Sequence, residues 1–370
     1  MKIADVETIP FAIPFAEPYA TARGTLERRE MALFRVRTDE GVEGLGEAVP
    51  LTLRGGADLG KVVRQLRRVG HRLSGTDVSE MEGEHPLAAA IDFVISHVAG
   101  RRLAPPARAA VEQALFDLAG RISEQPLWRL LGADAGEPVP CNATLAGGPP
   151  DHVARLAETW TARGFESLKL KLGVGDDLRQ VEAVRSAVGP DARIRVDANG
   201  SWTTDEATEL LRQIEPLGIE LVEQPTDSLR SMAAVARDTA IPIAADESVS
   251  SSKEAARAAR AGACQLATVK LAKVGGIGPS GGIARELPSY LSSALDGPIG
   301  IAAAGHLAQA LYRGRPDPGL AHGLATQLLF AESVAARECE VRDGRLVLPD
   351  GPGIGVELDD SALQAARLSD

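Results

Sequence analysis

The fold is decided by the stretch Ser167-Leu168-Lys169-Leu170-Lys171, a short apolar strand pattern with two lysines at its end. Four further strand patterns follow it along the chain, and each of them also ends in a charged residue. Counted from Lys171, these residues come at steps of 26, 26, 23 and 24, at Asp197, Glu223, Asp246 and Lys270. Each step has the length of one strand, one helix and their connections. The spacing predicts successive strand-helix modules with a charged side chain at the end of every strand.

From Val139 onwards, short apolar strand patterns alternate with amphipathic helix patterns. The predicted strands are Cys141–Leu145, Ser167–Lys171, Arg193–Asp197, Glu220–Glu223, Ile243–Asp246, Leu266–Lys270, Tyr290–Leu295 and Leu324–Leu328. Eight such units predict a (β/α)8 TIM-type barrel over residues 126–330, with strands buried on both faces. The carboxyl ends of barrel strands surround one pocket, so the five charged residues are expected to share it.

Residues 1–125 predict an α+β capping domain in front of the barrel. A hairpin signal at Asp39-Glu40-Gly41 joins two strand patterns, and two amphipathic helix patterns follow. Before the hairpin, the polar and Gly-containing residues 15–29 are long enough to form a mobile flap. After the barrel, residues 331–370 contain a second hairpin signal at Asp343-Gly344, and we expect this segment to return to the capping domain.

The composition is that of a globular protein, with 370 residues, 44% hydrophobic, 25% charged and a net charge of −11. The acidic balance disfavours nucleic acid as a partner. No apolar run reaches the roughly 20 residues that span a membrane, and the first residues lack the features of a signal peptide. Three widely spaced cysteines argue against a disulfide framework. We therefore expect a cytoplasmic protein without nucleic-acid or membrane partners.

Three carboxylates meeting in one pocket, those of Asp197, Glu223 and Asp246, would repel each other without a cation. Oxygen ligands of this kind favour Mg²⁺, and they also suit Mn²⁺. Lys171 and Lys270 flank the three acids, which makes them candidate general acid/base groups. A single acid at a strand end is more often a helix N-cap or a salt-bridge partner. It is the regular spacing of all five residues that favours a functional site.

Five motifs resemble those of the muconate lactonizing subgroup of the enolase superfamily. They are KLK at 169–171, DAN at 197–199, EQP at 223–225, DES at 246–248 and VKLAKVGG at 269–276. The resemblance covers nearly the whole chain. It implies a capped barrel, a homo-oligomeric enzyme, and abstraction of a proton beside the carboxylate of a small-molecule substrate through an enediolate.

The resemblance also implies a role for individual residues. It implies that Mg²⁺ is bound by Asp197, Glu223 and Asp246. Lys171 and Lys270 would be the acid/base pair, and Lys169 would support its neighbour electrostatically. Asn199 and Glu247 would lie behind these groups and orient them.

Within the subgroup, the residues favour dehydration to o-succinylbenzoate in the menaquinone pathway. Residues 290–296, Tyr-Leu-Ser-Ser-Ala-Leu-Asp, look like the seventh-strand segment of o-succinylbenzoate synthases, which makes Ser293 and Asp296 candidate substrate-binding residues. Gln327 is a third candidate, at a place where muconate cycloisomerases tend to carry a glutamate. N-acylamino acid racemase or dipeptide epimerase activity is the nearest alternative, followed by muconate cycloisomerase. Dipeptide epimerases usually carry Asp-x-Asp on the eighth strand, which Ala325-Thr326-Gln327 does not match.

Other classes of protein fit only parts of the pattern. A Schiff-base lyase would use Lys270 as its nucleophile but would not need three acids at adjacent strand ends. A non-catalytic barrel would have no reason to keep both lysines. The run Gly275-Gly276-Ile277-Gly278 suits a phosphate-cradling loop but matches no Walker pattern. His306 and His322 lie outside the predicted strand ends and are expected to be structural or surface residues.

Overall fold

The N-terminal sheet consists of two long strands and a short one. β1 (Ile3–Thr21) and β2 (Gly24–Thr38) form an antiparallel hairpin, and β3 (Glu43–Ala48) pairs with β2. The turn between β2 and β3 contains Gly41 in the left-handed region, as the hairpin signal predicts. The computed structural model describes residues 1–21, 24–52, 55–98, 102–173, 175–312 and 319–369.

The predicted flap, residues 15–29, belongs to this hairpin. In the part of it that the structure describes, the chain is not the irregular connection expected from the sequence but continuous strand. The polar sequence of this stretch reflects exposure to solvent and not an irregular backbone, because the outer half of the β1–β2 hairpin is largely exposed. The register of the hairpin shifts between Pro14 and Tyr19, where Pro14 and Pro18 have no N–H to donate. Residues 22 and 23 lie outside the described residues, and mobility of residues 15–29 stays a prediction.

One long helix organises the capping domain. The helices described here are α1 (Leu59–Leu73), α2 (Pro86–His97), α3 (Pro105–Ile122) and α4 (Leu127–Leu130), with a 3-10 turn at Ser79–Glu82. α3 lies directly on β3 because two glycines allow close approach. A Cβ atom at Gly46 would lie 1.8 Å from the carbonyl oxygen of Ala110, and one at Gly44 would lie 2.2 Å from that of Ala114. Almost every residue of α3 is consequently buried.

Seven parallel strands follow in chain order and form the wall of a barrel. They are β5 (Asn142–Leu145), β6 (Ser167–Lys171), β7 (Arg193–Asp197), β8 (Ile219–Glu223), β9 (Ile243–Ala245), β10 (Leu266–Val269) and β11 (Ser289–Leu291). Their apolar residues are buried on both faces, as expected for parallel strands covered by helices. The predicted α/β barrel class is confirmed.

In the described residues, isolated bridges rather than an eighth full strand close the barrel. His322 bridges to Cys141 and Gly323 bridges to Ser292, both in parallel orientation. The prediction of a strand over residues 324–328 is wrong, since a 3-10 helix occupies Thr326–Leu329. Leu324 and Ala325 of this segment are buried in the hydrophobic core without joining the sheet.

The seventh strand is also shorter than predicted and ends at Leu291 instead of Leu295. The side chain of Ser293 accepts the backbone amides of Leu295 and Asp296, at 2.8 and 3.0 Å. Such side-chain to backbone bonds compete with strand pairing and turn the chain. Leu295 lies in the left-handed region at φ +64°, which confirms the tight turn.

Helices surround the strands and are joined to them by short loops. They are α5 (Pro150–Ala162), α6 (Asp177–Val188), α7 (Thr204–Ile214), α8 (Leu229–Val235), α9 (Ser252–Arg260), α10 (Leu271–Val274), α11 (Ile277–Glu286) and α12 (Pro298–Ala310), with a 3-10 turn at Glu215–Leu217. α7 begins with a capping box between Thr203 and Glu206. A cap of this kind contributes about 1 kcal/mol to helix stability.

The C-terminal segment contacts both the barrel and the N-terminal sheet. Its strands are β12 (Ala335–Arg337), β13 (Glu340–Arg342), β14 (Arg345–Val347) and β15 (Glu357–Leu358), and it ends in helix α13 (Asp360–Ala366). The β13–β14 hairpin turns at the predicted Asp343-Gly344 and pairs with β4 (Val139–Pro140). At the start of α13, Asp360 forms an ion pair of 2.7 Å with Arg35 of β2. In the residues described, no helix is long and apolar enough to span a membrane.

Candidate active site at the carboxyl ends of the barrel strands

Three neighbouring strands end in charged residues that lie side by side. Lys171 is in register with Asp197, and Asp197 is in register with Glu223. Asp246 and Lys270 each come one residue after the end of their strands. The parallel register therefore brings all five predicted residues to one rim of the barrel.

Lys169 lies between two buried carboxylates. Its Nζ atom is 2.6 Å from Oε2 of Glu223 and 3.0 Å from Oδ2 of Asp197. Lys171 approaches the same Asp197 oxygen at 2.5 Å and also donates to Oδ1 of Asn199 at 3.1 Å. Both acids are fully buried, and the ammonium groups of these lysines offset the cost of burying them.

Asp246 is held by two further lysines. Nζ of Lys270 lies 2.5 Å from Oδ2 of Asp246, and Nζ of Lys273 lies 2.8 Å from Oδ1. Lys273 also donates to the backbone oxygens of Asp246 and Thr268, at 2.5 and 3.0 Å. The sequence analysis did not assign Lys273 to the site. Its spacing of three residues from Lys270, which places both on one face of a helical turn, is the signal that indicates it.

Tyr290 is a second residue of the site that the sequence analysis did not assign. Its hydroxyl group donates to Oε2 of Glu223 at 2.5 Å and accepts from Oγ1 of Thr268 at 2.7 Å. Its ring is fully buried and lies 4.9 Å from the guanidinium carbon of Arg195. Tyr290 therefore orients Glu223 from inside the barrel.

Asn199 and Glu247, the two residues expected to orient the acids, contact each other, and Asn199 also contacts Asp197; their orienting role stays a prediction. Nδ2 of Asn199 donates to Oε1 of Glu247 at 3.1 Å, and its backbone N–H donates to Asp197 at 2.9 Å. Gln224 has a similar role one strand further on, because its side-chain oxygen accepts the backbone N–H of Asp246 at 2.9 Å. Asn199 and Gln224 both lie at positive φ, +47° and +38°, a strained conformation that is common at active sites.

In this cluster, buried lysines and carboxylates stabilise each other's charged forms. Burial disfavours the charged form of Asp197, but Lys169 and Lys171 outweigh burial and hold the pKa of Asp197 well below its ordinary value. Burial likewise opposes the charged form of Lys169, yet Asp197 and Glu223 raise the pKa of this lysine well above its ordinary value. Lys270 and Asp246 also act on Asp197. The two ends of the row are therefore close enough to interact.

The three predicted substrate-binding residues are engaged in contacts with the protein. Ser293 accepts a hydrogen bond from the hydroxyl group of Thr326 at 2.7 Å, besides the two backbone amides of its turn. Asp296 is buried and accepts the backbone N–H of Ala294 at 2.5 Å. Nε2 of Gln327 donates to the backbone oxygen of Cys339 at 2.5 Å. The structure does not bring Asp296 or Gln327 into contact with the row of lysines and acids, and substrate binding by these residues stays a prediction.

The capping hairpin reaches the eighth-strand side of the barrel mouth. Phe15 of β1 bridges to Phe330, and their rings are stacked with centroids 5.0 Å apart. Tyr19 stacks on the other side of Phe15 at 5.5 Å. This aromatic stack joins the capping hairpin to the segment that follows the 3-10 helix at Thr326–Leu329.

The two parts of the chain match two models of one enzyme family. Residues 3–132 match the mandelate racemase / muconate lactonizing enzyme, N-terminal domain, and residues 152–362 match the enolase C-terminal domain-like family. The chain belongs to the mandelate racemase/muconate lactonizing enzyme family of the enolase superfamily. It is thus an enzyme, and the resemblance seen in its motifs is confirmed.

Curated relatives of this enolase-superfamily enzyme differ in their reactions. It is 32% identical to an L-Ala-D/L-Glu epimerase of Bacillus subtilis, over 83% of this chain and 85% of the relative. It is 30% identical to muconate cycloisomerase 1 of Rhodococcus opacus, over 98% of each chain. It is 28% identical to an N-succinyl-L-Arg/Lys racemase of Bacillus cereus, over 98% of this chain and 97% of the relative.

Solved structures of the superfamily share its whole fold. Muconate lactonizing enzyme from Pseudomonas fluorescens, complexed with muconolactone, superimposes with a TM-score of 0.88 at 28% identity and covers 99% of each chain. A dipeptide epimerase from Enterococcus faecalis, complexed with Mg and the dipeptide L-Leu-L-Tyr, has a TM-score of 0.86 at 28% identity, over 96% of this chain and 100% of that one.

The donor set of this enzyme fits a hard divalent cation. Oε1 of Glu223 is buried without a hydrogen-bond partner, although Oε2 accepts two hydrogen bonds, and a cation would relieve that oxygen. As they stand, the carboxylates face lysines. Among the described residues no three acidic, His or Cys side chains are grouped tightly enough to hold an ion. An ion at this site would compete with the ammonium groups of Lys169 and Lys270 for carboxylate oxygens.

A second set of buried charges joins the capping domain of this enzyme to its barrel. Oε1 of Glu47 accepts the backbone N–H of Gly297 at 2.7 Å, at the start of α12. Burial and the neighbouring Asp296 raise the pKa of Glu47 to about 8. Arg29, also buried, donates to the backbone oxygens of Pro50 and Ala294 at 2.7 and 3.0 Å. The sequence analysis assigned Asp296 to substrate and missed this joint, because its members are far apart in the chain.

The raised pKa of Glu47 predicts a pH dependence of stability. A carboxyl group whose pKa is raised by folding makes its full contribution to the free energy of unfolding below about pH 4.5. This contribution is lost as the pH rises through 8. We expect the free energy of unfolding to fall between pH 6 and 8, by at most about 1.4 kcal/mol per pH unit from this group. Urea unfolding at several pH values should show a smaller slope in Glu47→Gln than in the wild type. Replacing the exposed Glu40 by Gln is the control, and equal slopes in the wild type and Glu47→Gln would contradict the assignment.

Proposed function

We propose that this enzyme removes the proton on the carbon next to a substrate carboxylate, with Lys171 and Lys270 as acid/base groups. The observation that carries the proposal is the placement of these two lysines. They follow the second and sixth parallel strands, on opposite sides of the row of acids, and each approaches a different acid at 2.5 Å. A substrate carbon above the row would have one ammonium group on each face.

We propose Asp197, Glu223 and Asp246 as the ligands of one Mg²⁺, with Mn²⁺ as a possible substitute. When bound, the metal would supply the positive charge that stabilises an enediolate. The protein's own part is to hold protons and charges. Lys171 and Lys270 move the proton, Lys169 places a positive charge beside Asp197 and Glu223, and the buried surroundings exclude water from these contacts.

For the net reaction we propose dehydration to o-succinylbenzoate. No acidic residue occurs between His322 and Leu329, and Asp296 is buried beside Arg29 and Glu47. Neither residues 322–329 nor Asp296 would therefore offer a carboxylate to a substrate with a free ammonium group, which disfavours a free dipeptide. The segment Ser292-Ser293-Ala294-Leu295-Asp296, which looks like that of o-succinylbenzoate synthases, supports the dehydration.

Racemisation of an N-acylamino acid is the second candidate. One observation favours it, since the N-succinyl-L-Arg/Lys racemase of Bacillus cereus matches this chain over nearly its full length. An acylated amino group is uncharged, so it also needs no acid at the eighth strand. Racemisation requires both lysines to exchange protons. Dehydration requires one lysine to remove the proton and to return it to the departing hydroxyl group, which leaves as water, while the other lysine only stabilises charge.

One experiment separates the two reactions. The enzyme with Mg²⁺ is given the cyclohexadiene precursor of o-succinylbenzoate, and in parallel both enantiomers of N-succinyl amino acids in D₂O. We expect turnover of the cyclohexadiene. Rapid deuterium incorporation into both enantiomers, without turnover of the cyclohexadiene, would assign the racemase instead. No reaction with either substrate would refute both proposals.

The proposed ligands predict how metal affinity depends on single residues. Glu223→Gln should weaken Mg²⁺ binding more than tenfold, because it removes a charged oxygen ligand of a hard cation while keeping the shape of the side chain. Isothermal titration of the metal-free protein with MgCl₂ measures the affinity directly. Glu220→Gln, three residues earlier on the same strand, serves as the control. Unchanged affinity in Glu223→Gln would exclude this residue as a ligand.

A further inference from the structure

Helix α11, the second helix after the sixth strand, begins on a buried carboxylate of the capping domain. Glu112 of α3 accepts the backbone N–H of Gly278 with its two oxygens, at 3.2 and 3.4 Å. Gly278 lies in the first turn of α11, where backbone N–H groups have no partner within the helix. A carboxylate therefore occupies the position that the Gly275–Gly278 run could offer to a phosphate, which removes the phosphate-binding interpretation of this run.

The fit between Glu112 and this turn is tight. A Cβ atom at Gly276 would lie 1.7 Å from Oε2 of Glu112 and 2.7 Å from its Cδ. Gly276 also has a φ of +125°, which side chains other than glycine rarely adopt. Only a glycine admits the carboxylate at this place. A Cβ atom at the neighbouring Gly275 would lie 3.4 Å from Cδ of Arg108 and 3.8 Å from Cα of Pro105, so the interface extends to the first turn of α3.

A rigid turn connects this contact to the proposed catalytic lysine. The backbone oxygen of Lys270 accepts the N–H groups of Lys273 and Val274, at 3.0 and 3.1 Å. The backbone oxygen of Leu271 accepts those of Gly275 and Gly276, at 2.9 and 3.0 Å. Lys270 thus stands at one end of a single hydrogen-bonded helical turn, and Glu112 fixes the other end.

We propose that Glu112 is a positioning residue. It fixes the turn that carries Lys270 and Lys273 so that the ammonium groups of both lysines contact Asp246. The proposal rests on the function proposed for Lys270. Through Glu112, the capping domain would affect proton transfer by a contact outside the pocket. Such an effect can be large, because displacement of a reacting group by about 1 Å can lower its rate about 100-fold.

The first test is hydrogen exchange, which needs no substrate. In Glu112→Ala, the amides of residues 271–280 should exchange about tenfold faster or more, as expected when a charge-assisted hydrogen bond is lost. Residues 297–305, which Glu47 holds independently, should be unchanged. Asp117→Asn is the matched control. Asp117 is equally buried on α3 but accepts the N–H groups of Leu45 and Ile354, so its loss should lower stability without loosening residues 271–280.

The second test is kinetic. Glu112→Ala should lower kcat about 10- to 100-fold while KM changes little, since the lysine moves but the substrate contacts remain. Glu112→Gln keeps one oxygen for Gly278 and should recover most of the rate. A variant that was merely less stable would lose folded enzyme, not kcat per folded molecule.

A double-mutant cycle covers the case in which Glu112→Ala folds poorly. Gly276→Ala should be far more harmful with Glu112 present than in Glu112→Ala, since the added Cβ conflicts with the carboxylate, whereas the backbone strain is common to both. Additive effects, or unchanged exchange at 271–280, would overturn the positioning role. If neither proposed substrate reacts, the proposed function fails, but hydrogen exchange still decides whether Glu112 holds this turn.

Discussion

Replacing Lys270 or Lys171 by alanine should lower kcat by about 10²–10⁴, the usual effect of removing a well-placed acid/base group. The fold should survive both changes. Asp246 keeps its contact with Lys273 at 2.8 Å when Lys270 is lost, and Asp197 keeps Lys169 at 3.0 Å when Lys171 is lost. Lys253→Ala, on the exposed side of α9, is the matched control and should leave turnover unchanged.

The two substitutions should also differ from each other in a way that depends on the reaction. In a dehydration, loss of the lysine that removes the proton should stop both turnover and proton exchange, and loss of the other should only slow turnover. In a racemisation, each variant should still exchange the α-proton of one enantiomer in D₂O, because the lysine on that face remains. If both variants turned over at the wild-type rate, the acid/base assignment would be wrong.

The row of charges could be predicted because it depends on local spacing. A strand and a helix take up a similar length in each module, so Lys171, Asp197 and Glu223 fall into register by counting. Lys270 and Asp246 follow from the same rule, although each lies just beyond its strand. The residue spacing does not give the direction in which the neighbouring side chains point.

Residues that depend on long-range packing could not be predicted. Tyr290 has the apolar surroundings of any strand residue, and only the closed barrel brings its hydroxyl group to Glu223. Glu47 and Glu112 look like ordinary helix or strand acids, and their partners lie at the starts of barrel helices far along the chain.

The prediction of an eighth strand over residues 324–328 was wrong for a related reason. An apolar run such as Leu324–Leu328 has the composition of a strand, but pairing needs free backbone groups beside it. The neighbouring backbone groups are used by Gly323 and His322 instead, which bond to Leu291 and Ser293 and to Pro140 and Asn142.

Lys169→Met should destabilise the metal-free enzyme by about 3–5 kcal/mol, the range for breaking a buried ion pair from one side. Methionine has a similar length and no charge, so packing is kept while the buried oxygens of Asp197 and Glu223 lose their shared ammonium group. Urea unfolding in EDTA measures the change. Lys61→Met, on the exposed face of α1, should have little effect.

Added Mg²⁺ should then restore more stability to Lys169→Met than it adds to the wild type. In the wild type the ion must compete with the ammonium group for oxygens of Asp197 and Glu223, whereas in the variant those oxygens are already free of it. Binding to the folded state stabilises it in proportion to the logarithm of ligand concentration over Kd, so a lower Kd appears directly as a larger gain. Equal gains in both proteins would mean that Lys169 and the metal do not share these oxygens. A loss of stability that Mg²⁺ cannot repair at all would place the metal elsewhere.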